Sequence, residues 1–282
     1  MLSIVCGLGA AAAWATSTLC ASRASRLISV GSLTAWVTIV GMLVAGPAVA
    51  IVGIPPGLDA GVAGWLVVSG AGNVIGLLLA YSALRIGKVG LVAPITSTEG
   101  AVAALLAIIT GERLAPGVGA TLGVIAIGVA LAAAAPASSA IVRRVNLRAG
   151  LLAGAAAISF GAGIYATGRV SDAIGIAWAV MPPRLLGVVA VATPLALTSR
   201  LHMTRRALPL VVTAGLGEVA GYASYAVGAR HSLAVSAVLS SQFAAIAAFV
   251  GFLLFHERLG RVQVAGVVAI IAGVSALSVL HG

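Results

Sequence analysis

Acidic side chains are nearly missing from this chain, which has six Asp and Glu among 282 residues against sixteen Lys and Arg. Charged residues of both signs together make up 8%, where a soluble domain carries about 25%. So little charge cannot clothe a water-facing surface, and a soluble enzyme or carrier is excluded. Lysine is reduced to Lys88. The net charge of +10 does not point to nucleic acid, because the basic residues stand singly or in pairs between apolar runs with no aromatics interleaved. Topology control and contact with lipid head groups account for them. Cys6 and Cys20 share one apolar run, and as a helix it would hold them about 21 Å apart at 1.5 Å per residue, too far for a disulfide. No metal spacing or redox motif accompanies them, so they read as small buried hydrophobes. His202, His231, His256 and His281 all fall at the ends of apolar runs or between them. None has an acidic partner deep in a run, which argues against a membrane-embedded enzyme and against haem ligation. No phosphate-binding loop is present for direct ATP coupling. No cofactor or metal is expected.

What the chain has in abundance is apolar sequence, 61% of residues with a mean hydropathy of +1.18. The runs are continuously apolar and about twenty residues long, the length of a membrane-spanning helix. Barrel strands would alternate polar and apolar positions over about ten residues instead. The sequence therefore predicts an all-α integral membrane protein with ten spans, near 2–22, 28–51, 61–83, 90–110, 117–135, 150–168, 174–198, 207–228, 233–255 and 262–280. The first run lacks a basic start and reads as a span rather than a cleaved leader. Turn signals such as Ile54-Pro55-Pro56-Gly57 separate the runs. Loops after odd-numbered spans hold twelve basic residues, Arg23, Arg143 and Arg205 among them, and loops after even-numbered spans hold three, Arg113, Arg169 and Arg230. The positive-inside rule puts the odd loops in the cytoplasm and both termini outside.

The string Glu-Arg-Leu occurs twice, as Glu112-Arg113-Leu114 and Glu257-Arg258-Leu259, and 257 − 112 gives a spacing of 145. At the same shift Gly70, Gly72, Val74 and Gly76 fall on Gly215, Gly217, Val219 and Gly221, and Arg85 falls on Arg230. With one residue of slippage Trp14 meets Phe160 and Arg23 meets Arg169. The chain thus reads as a five-helix unit over 1–135, a basic cytoplasmic linker over 136–148 and a second unit over 149–282. Five is odd, so the second unit enters the membrane from the opposite side. Inverted repeats are typical of secondary transporters, with the substrate near the midplane between the halves.

Taken in order, Trp14, Ala80-Tyr81-Ser82-Ala83-Leu84, Pro94-Ile95, Glu99, Gly111-Glu112-Arg113-Leu114 and the stretch from Gly119 to Gly128 resemble the EamA-type unit of the drug/metabolite transporter superfamily. The second half repeats the pattern with Arg184, Glu218, Gln242, His256-Glu257-Arg258-Leu259 and Gly266 to Gly273. The resemblance spans nearly the whole chain. It implies a ten-helix carrier with a central cavity, commonly an exporter of amino acids or related metabolites. Two departures stand out: Gly100 follows Glu99 where the family usually has Pro, and the family is often drawn with cytoplasmic termini.

Charges inside the membrane cost about 2.5–3.5 kcal/mol on insertion scales, so each one needs a reason. Glu218, in Gly-Leu-Gly-Glu-Val-Ala-Gly-Tyr, reads as a cavity-facing carboxyl that titrates or binds a substrate ammonium, with Asn73 as its repeat partner; the competing reading is an interhelical hydrogen bond. Glu99 follows Thr96, Ser97 and Thr98 on a polar face, and Gln242 stands near the same place in the second half. Both are read either as site residues or as helix-packing groups. Arg184 follows Pro182-Pro183, which are expected to kink or break their helix. It would either hold a substrate carboxylate or pair with Glu99 or Glu218. Trp14, Phe160, Tyr165, Tyr222 and Tyr225 are candidate cavity walls by stacking and cation–π contact. Glu112, Arg113, Glu257 and Arg258 read as structural groups at helix ends.

The expected protein is a secondary transporter of a bacterial inner membrane, monomeric or homodimeric. By alternating access it would export small polar metabolites such as amino acids, with proton exchange at Glu218 or Glu99 as the coupling step. Export of organic cations is the nearest rival.

Overall fold

The computed structural model describes residues 2–111, 117–133, 140–170, 174–229, 240, 242–255 and 260–280. Glu112, Arg113, Glu257 and Arg258, the two copies of the repeated string, lie outside the described residues. Among the described residues the fold is entirely helical: α1 Leu2–Ala24, α2 Val30–Val52, α3 Ala60–Ile86, α4 Val89–Thr96, α5 Glu99–Ile109, α6 Val118–Ala133, α7 Ala140–Gly168, α8 Ile176–Gly187, α9 Thr193–Leu197, α10 Leu208–Ala229, α11 Phe243–Phe255 and α12 Arg261–Leu280. Among the described residues, five stretches are long and apolar enough to cross a membrane: Ile4–Ala24, Val30–Val52, Ala60–Ile86, Val142–Thr167 and Ile176–Leu197.

Local chemistry sets the helix ends. Ser29 caps α2 by accepting from the Ser32 amide at 3.1 Å, and Asp59 caps α3 by accepting from the Val62 amide at 2.8 Å. Gly53 closes α2 with a φ of +73°, a conformation that other residues adopt only with strain. Three expectations are refined. The span predicted near 90–110 is two helices, parted at Ser97 and Thr98. There the hydroxyls of Ser97 and Thr98 fold back on the carbonyls of Pro94 and Ile95, both at 2.8 Å, offering the chain an alternative to continued helix. Pro182 and Pro183 do not break their helix, since both lie inside α8. The irregularity comes one turn later, as a π-helical turn over Val188–Ala192 in which the Thr193 amide reaches back to Val188 O. The stretch expected as a linker is helical from Ala140 and continuous with α7.

The packing is that of a protein in lipid. Large apolar side chains point outward, with Ile51 86% and Leu197 81% exposed. The interior is rich in small residues: Ala10, Ala11, Ala21, Ala24, Ala153, Ala156 and Ala214 are all buried. Lipid tails are as apolar as leucine, so helices gain by close approach at small residues rather than by hiding large ones. The closest seams are α1 with α10, α3 with α7, and α6 with α12. A Cβ on Gly72 of α3 would lie 2.6 Å from Ser159 O and 2.8 Å from Gly163 N of α7. A Cβ on Gly217 of α10 would lie 2.7 Å from Ala13 O of α1.

These neighbours are backbone atoms and cannot swing aside. Gly72→Ala is therefore expected to lower the thermal unfolding midpoint in detergent, overpacking costing about 1–3 kcal/mol. Gly64→Ala, in the same helix but facing open space, is expected to leave it unchanged or raise it, alanine being the better helix former by about 0.8–1.0 kcal/mol.

Candidate functional site

The three long seams bring regularly spaced side chains to one place. On α10, Glu218, Tyr222 and Tyr225 stand at i, i+4 and i+7, on a single helical face. On α1, Trp14, Ser17 and Thr18 do the same, as do Asn73, Leu77, Ala80, Tyr81 and Leu84 on α3. Asn73 is central in Ala60–Ile86, and Glu218 is midway along Leu208–Ala229. Together with Thr96 and Ser97 at the end of α4, Glu99 at the start of α5, Phe160 on α7 and Phe243 on α11, they line a cavity of about 230 Å³.

The wall is acidic and aromatic. Ser17 Oγ donates to Glu218 Oε1 at 3.1 Å, tying α1 to α10. Asn73 Nδ2 donates to Tyr222 Oη at 3.1 Å, tying α3 to α10. The Trp14 ring meets Tyr222 and Phe243 edge-on at centroid distances of 5.4 and 6.2 Å, and Tyr225 at a tilt at 6.2 Å. Gly221 allows this, because a Cβ there would collide with the Trp14 indole. Gly76 stands in the same way against the Phe160 ring, since a Cβ there would lie 2.5 Å from the ring carbons. Tyr81 also lines the cavity, and its buried hydroxyl has no hydrogen-bond partner among the described residues.

Of the ten candidate residues expected from sequence, Trp14, Asn73, Glu99, Phe160, Glu218, Tyr222 and Tyr225 meet in this wall. Three do not. Gln242 Nε2 donates to Ser275 Oγ at 2.6 Å, joining α12 rather than the cavity. Tyr165 donates to Thr110 Oγ1 at 2.9 Å and packs against Trp65, whose ring also lies beneath Arg169. Arg184 is only 4% exposed and absent from the wall. Its Nη1 donates to Val180 O at 3.0 Å, and its Cζ sits over the Tyr222 ring, 4.9 Å from the centroid. Its stem lies on Gly41 of α2, where a Cβ would come within 3.0 Å of Arg184 Cγ. The contacts of Arg184 are thus a carbonyl and an aromatic face, with no contact ion pair among the described residues, while its charge still acts on Glu218. Ser17, Tyr81 and Phe243 were not singled out beforehand; for Ser17, its place one helical turn from Trp14 was the available signal.

Fold and site define an all-helical, multi-pass membrane protein with an internal, solute-sized cavity. Residues 1–134 match the EamA-like transporter family, so the first half of the chain is similar to an EamA-like unit. No curated protein matches the chain in sequence. One solved crystal structure, whose description names no function, aligns over 99% of this chain and 97% of its own with a TM-score of 0.65 and 17% identity, a likeness of fold alone.

The sign of the wall is testable by thiol chemistry. In a protein lacking Cys6 and Cys20, Thr18→Cys is expected to react faster with a cationic methanethiosulfonate than with an anionic one, after normalisation to a free thiol. Equal normalised rates would mean that the carboxyls do not govern the cavity.

Proposed function

We propose that the protein is a secondary active transporter that moves small, amine-bearing polar solutes through this cavity by alternating access. The observation that carries the reading is the composition of the wall, in which α1, α3, α4 and α5 of the first half and α7, α10 and α11 of the second meet around Glu99 and Glu218. Carboxyls lining an internal cavity suit an ammonium group, and aromatic faces add cation–π attraction. Export of metabolites such as amino acids across a bacterial inner membrane is the specific form of this reading. The acidic wall, with no basic residue in it among the described residues, favours a second form, export of organic cations.

The proposed architecture is ten spans in two inverted five-helix units, 1–135 and 149–282. Reciprocal contacts support the duplication. Gly128 abuts Ile270 and Gly273 abuts Ile125; adding 145 to 128 and 125 gives 273 and 270, so the shift exchanges the partners. Gly70 abuts Pro182 O and Gly215 abuts Val37 O, and the same shift carries 70 to 215 and 37 to 182. An approximate two-fold relation between the halves has this signature. Alternation then consists of the two units rocking about the cavity, with a proton exchanged at Glu218 or Glu99 when the solute leaves.

Two measurements test the proposal. In proteoliposomes, uptake of an amine-bearing solute is expected to follow an imposed pH gradient, and Glu218→Gln or Glu99→Gln is expected to abolish that dependence. Unchanged rate and pH dependence in both variants would end the coupling scheme. Single cysteines replacing Glu112 and Glu257 are expected to label from opposite membrane faces; labelling from one face would rule out the inversion.

A further inference from the structure

The helix α7 is longer than a span requires. Its 29 residues extend about 43 Å at 1.5 Å per residue, against a hydrocarbon core of about 30 Å. The surplus lies at its start. Gly72 and Gly76 of α3 meet Gly163 and Phe160 of α7, and Gly87, which closes α3, meets Ala149, where a Cβ would come within 2.6 Å of the alanine Cβ. The two helices are therefore antiparallel, and residues 140–148 run on past the end of α3 for about 13 Å. A flexible linker would hold its arginines at no fixed height. A continuous helix carries them in register with the membrane-facing surface below.

That register places two of them on the lipid side. Leu147, Leu151 and Ile158 are large, exposed apolar side chains, spaced by four and seven, so they form one outward stripe along α7. Arg148 and Arg144 stand three and seven positions before Leu151 and continue the same stripe beyond it. Both are exposed, and neither side chain has a partner among the described residues. The sequence has no acidic residue between Glu112 and Asp172 to neutralise them. Topology control asks only that the arginines lie on one side of the membrane; it does not ask that they crown a stripe of exposed leucines. A phospholipid does. Its acyl chains match the stripe, and its phosphate matches two guanidinium forks one helical turn apart. A zwitterionic head group would bring its own ammonium against the same two cations, whereas an anionic one would not.

We propose that Arg144 and Arg148 form a head-group site for an anionic phospholipid whose acyl chains lie along Leu147, Leu151 and Ile158. The site is independent of the transporter reading and of the central cavity. Because α7 opens the second half and packs along α3 of the first, a lipid bound there braces the seam between the halves.

The test follows the thermal unfolding midpoint of the full chain in a neutral detergent. Dioleoyl phosphatidylglycerol is expected to raise the midpoint at least about 3 °C more than dioleoyl phosphatidylcholine does, as a ligand of the folded state should. Soluble glycerol 3-phosphate is expected to give no shift. Arg144→Gln combined with Arg148→Gln is expected to lose most of the difference between the lipids. Arg205→Gln combined with Arg206→Gln, an exposed pair in the turn before α10, is expected to keep it. Topology should survive the first pair, since twelve less two basic residues still outnumber three. Should that double variant not fold, Arg144→Gln and Arg148→Gln singly are each expected to lose part of the difference. Equal shifts with the two lipids overturn the proposal, as does an undiminished difference in the folded variants at 144 and 148. An equal loss in the 205 and 206 pair overturns it too, because the attraction would then be spread over the whole basic face. A shift from glycerol 3-phosphate as large as that from the lipid makes the site one for free phosphate and overturns the lipid assignment.

Discussion

The constraint on which the rest of the structure depends is backbone-to-backbone approach at glycine. Apolar side chains cannot drive helices together in lipid as they do in water, because the surrounding tails are equally apolar. What remains is dispersion at short range, and short range demands small residues. Gly72 against Ser159 and Gly163, and Gly217 against Ala13 and Ser17, meet that demand on the α3–α7 and α1–α10 seams. Each seam then fixes what stands beside it. One turn on from Gly217, Gly221 leaves room for the Trp14 indole; one turn on from Gly72, Gly76 leaves room for the Phe160 ring. The aromatic wall is thus a consequence of the same close approach, and so is the reach of Ser17 to Glu218.

Charge inside the bundle is handled by local contacts together with the longer-range attraction between Arg184 and Glu218. Arg184 makes no direct ion pair among the described residues. A carbonyl one turn back takes one of its hydrogens, and the negative face of Tyr222 takes up part of its field, a contact worth about 0.5–1 kcal/mol in the open and about 2 when desolvated. The same ring carries the Asn73 bond between α3 and α10.

Much of this was legible in the chain before any coordinates. The scarcity of charge and the twenty-residue runs gave the helical membrane class, and intramembrane polarity picked out Glu218, Asn73 and Glu99. The misses have a common physical cause. Arg184, Tyr165 and Gln242 are polar residues in apolar runs, just as the true wall residues are, and sequence records their cost but not the direction they face. Arg184 turns to Tyr222, Tyr165 to Thr110 and Gln242 to Ser275, because those partners are nearer once the helices pack. The proline pair misled for a different reason. Prolines remove donors only from their own positions, and α8 absorbs the loss with a π-helical turn at Val188 to Ala192 instead of a break. At Ser97 and Thr98, by contrast, the hydroxyls offered the carbonyls a substitute partner, and there the helix did part.

The two halves differ most where they are otherwise most alike. Counted by the 145-residue shift, Glu218 stands where the first half has Asn73, and both line the same cavity. Glu99 lines it too, while Gln242, near the corresponding place in the second half, is bonded to Ser275. Each half therefore contributes one acid, and from a different helix. In a carrier whose halves exchange conformations, strictly equivalent residues would give the solute the same surroundings on both sides of the membrane. Under the proposed rocking scheme, acids at non-equivalent positions would not, and the solute would meet different surroundings on the two sides.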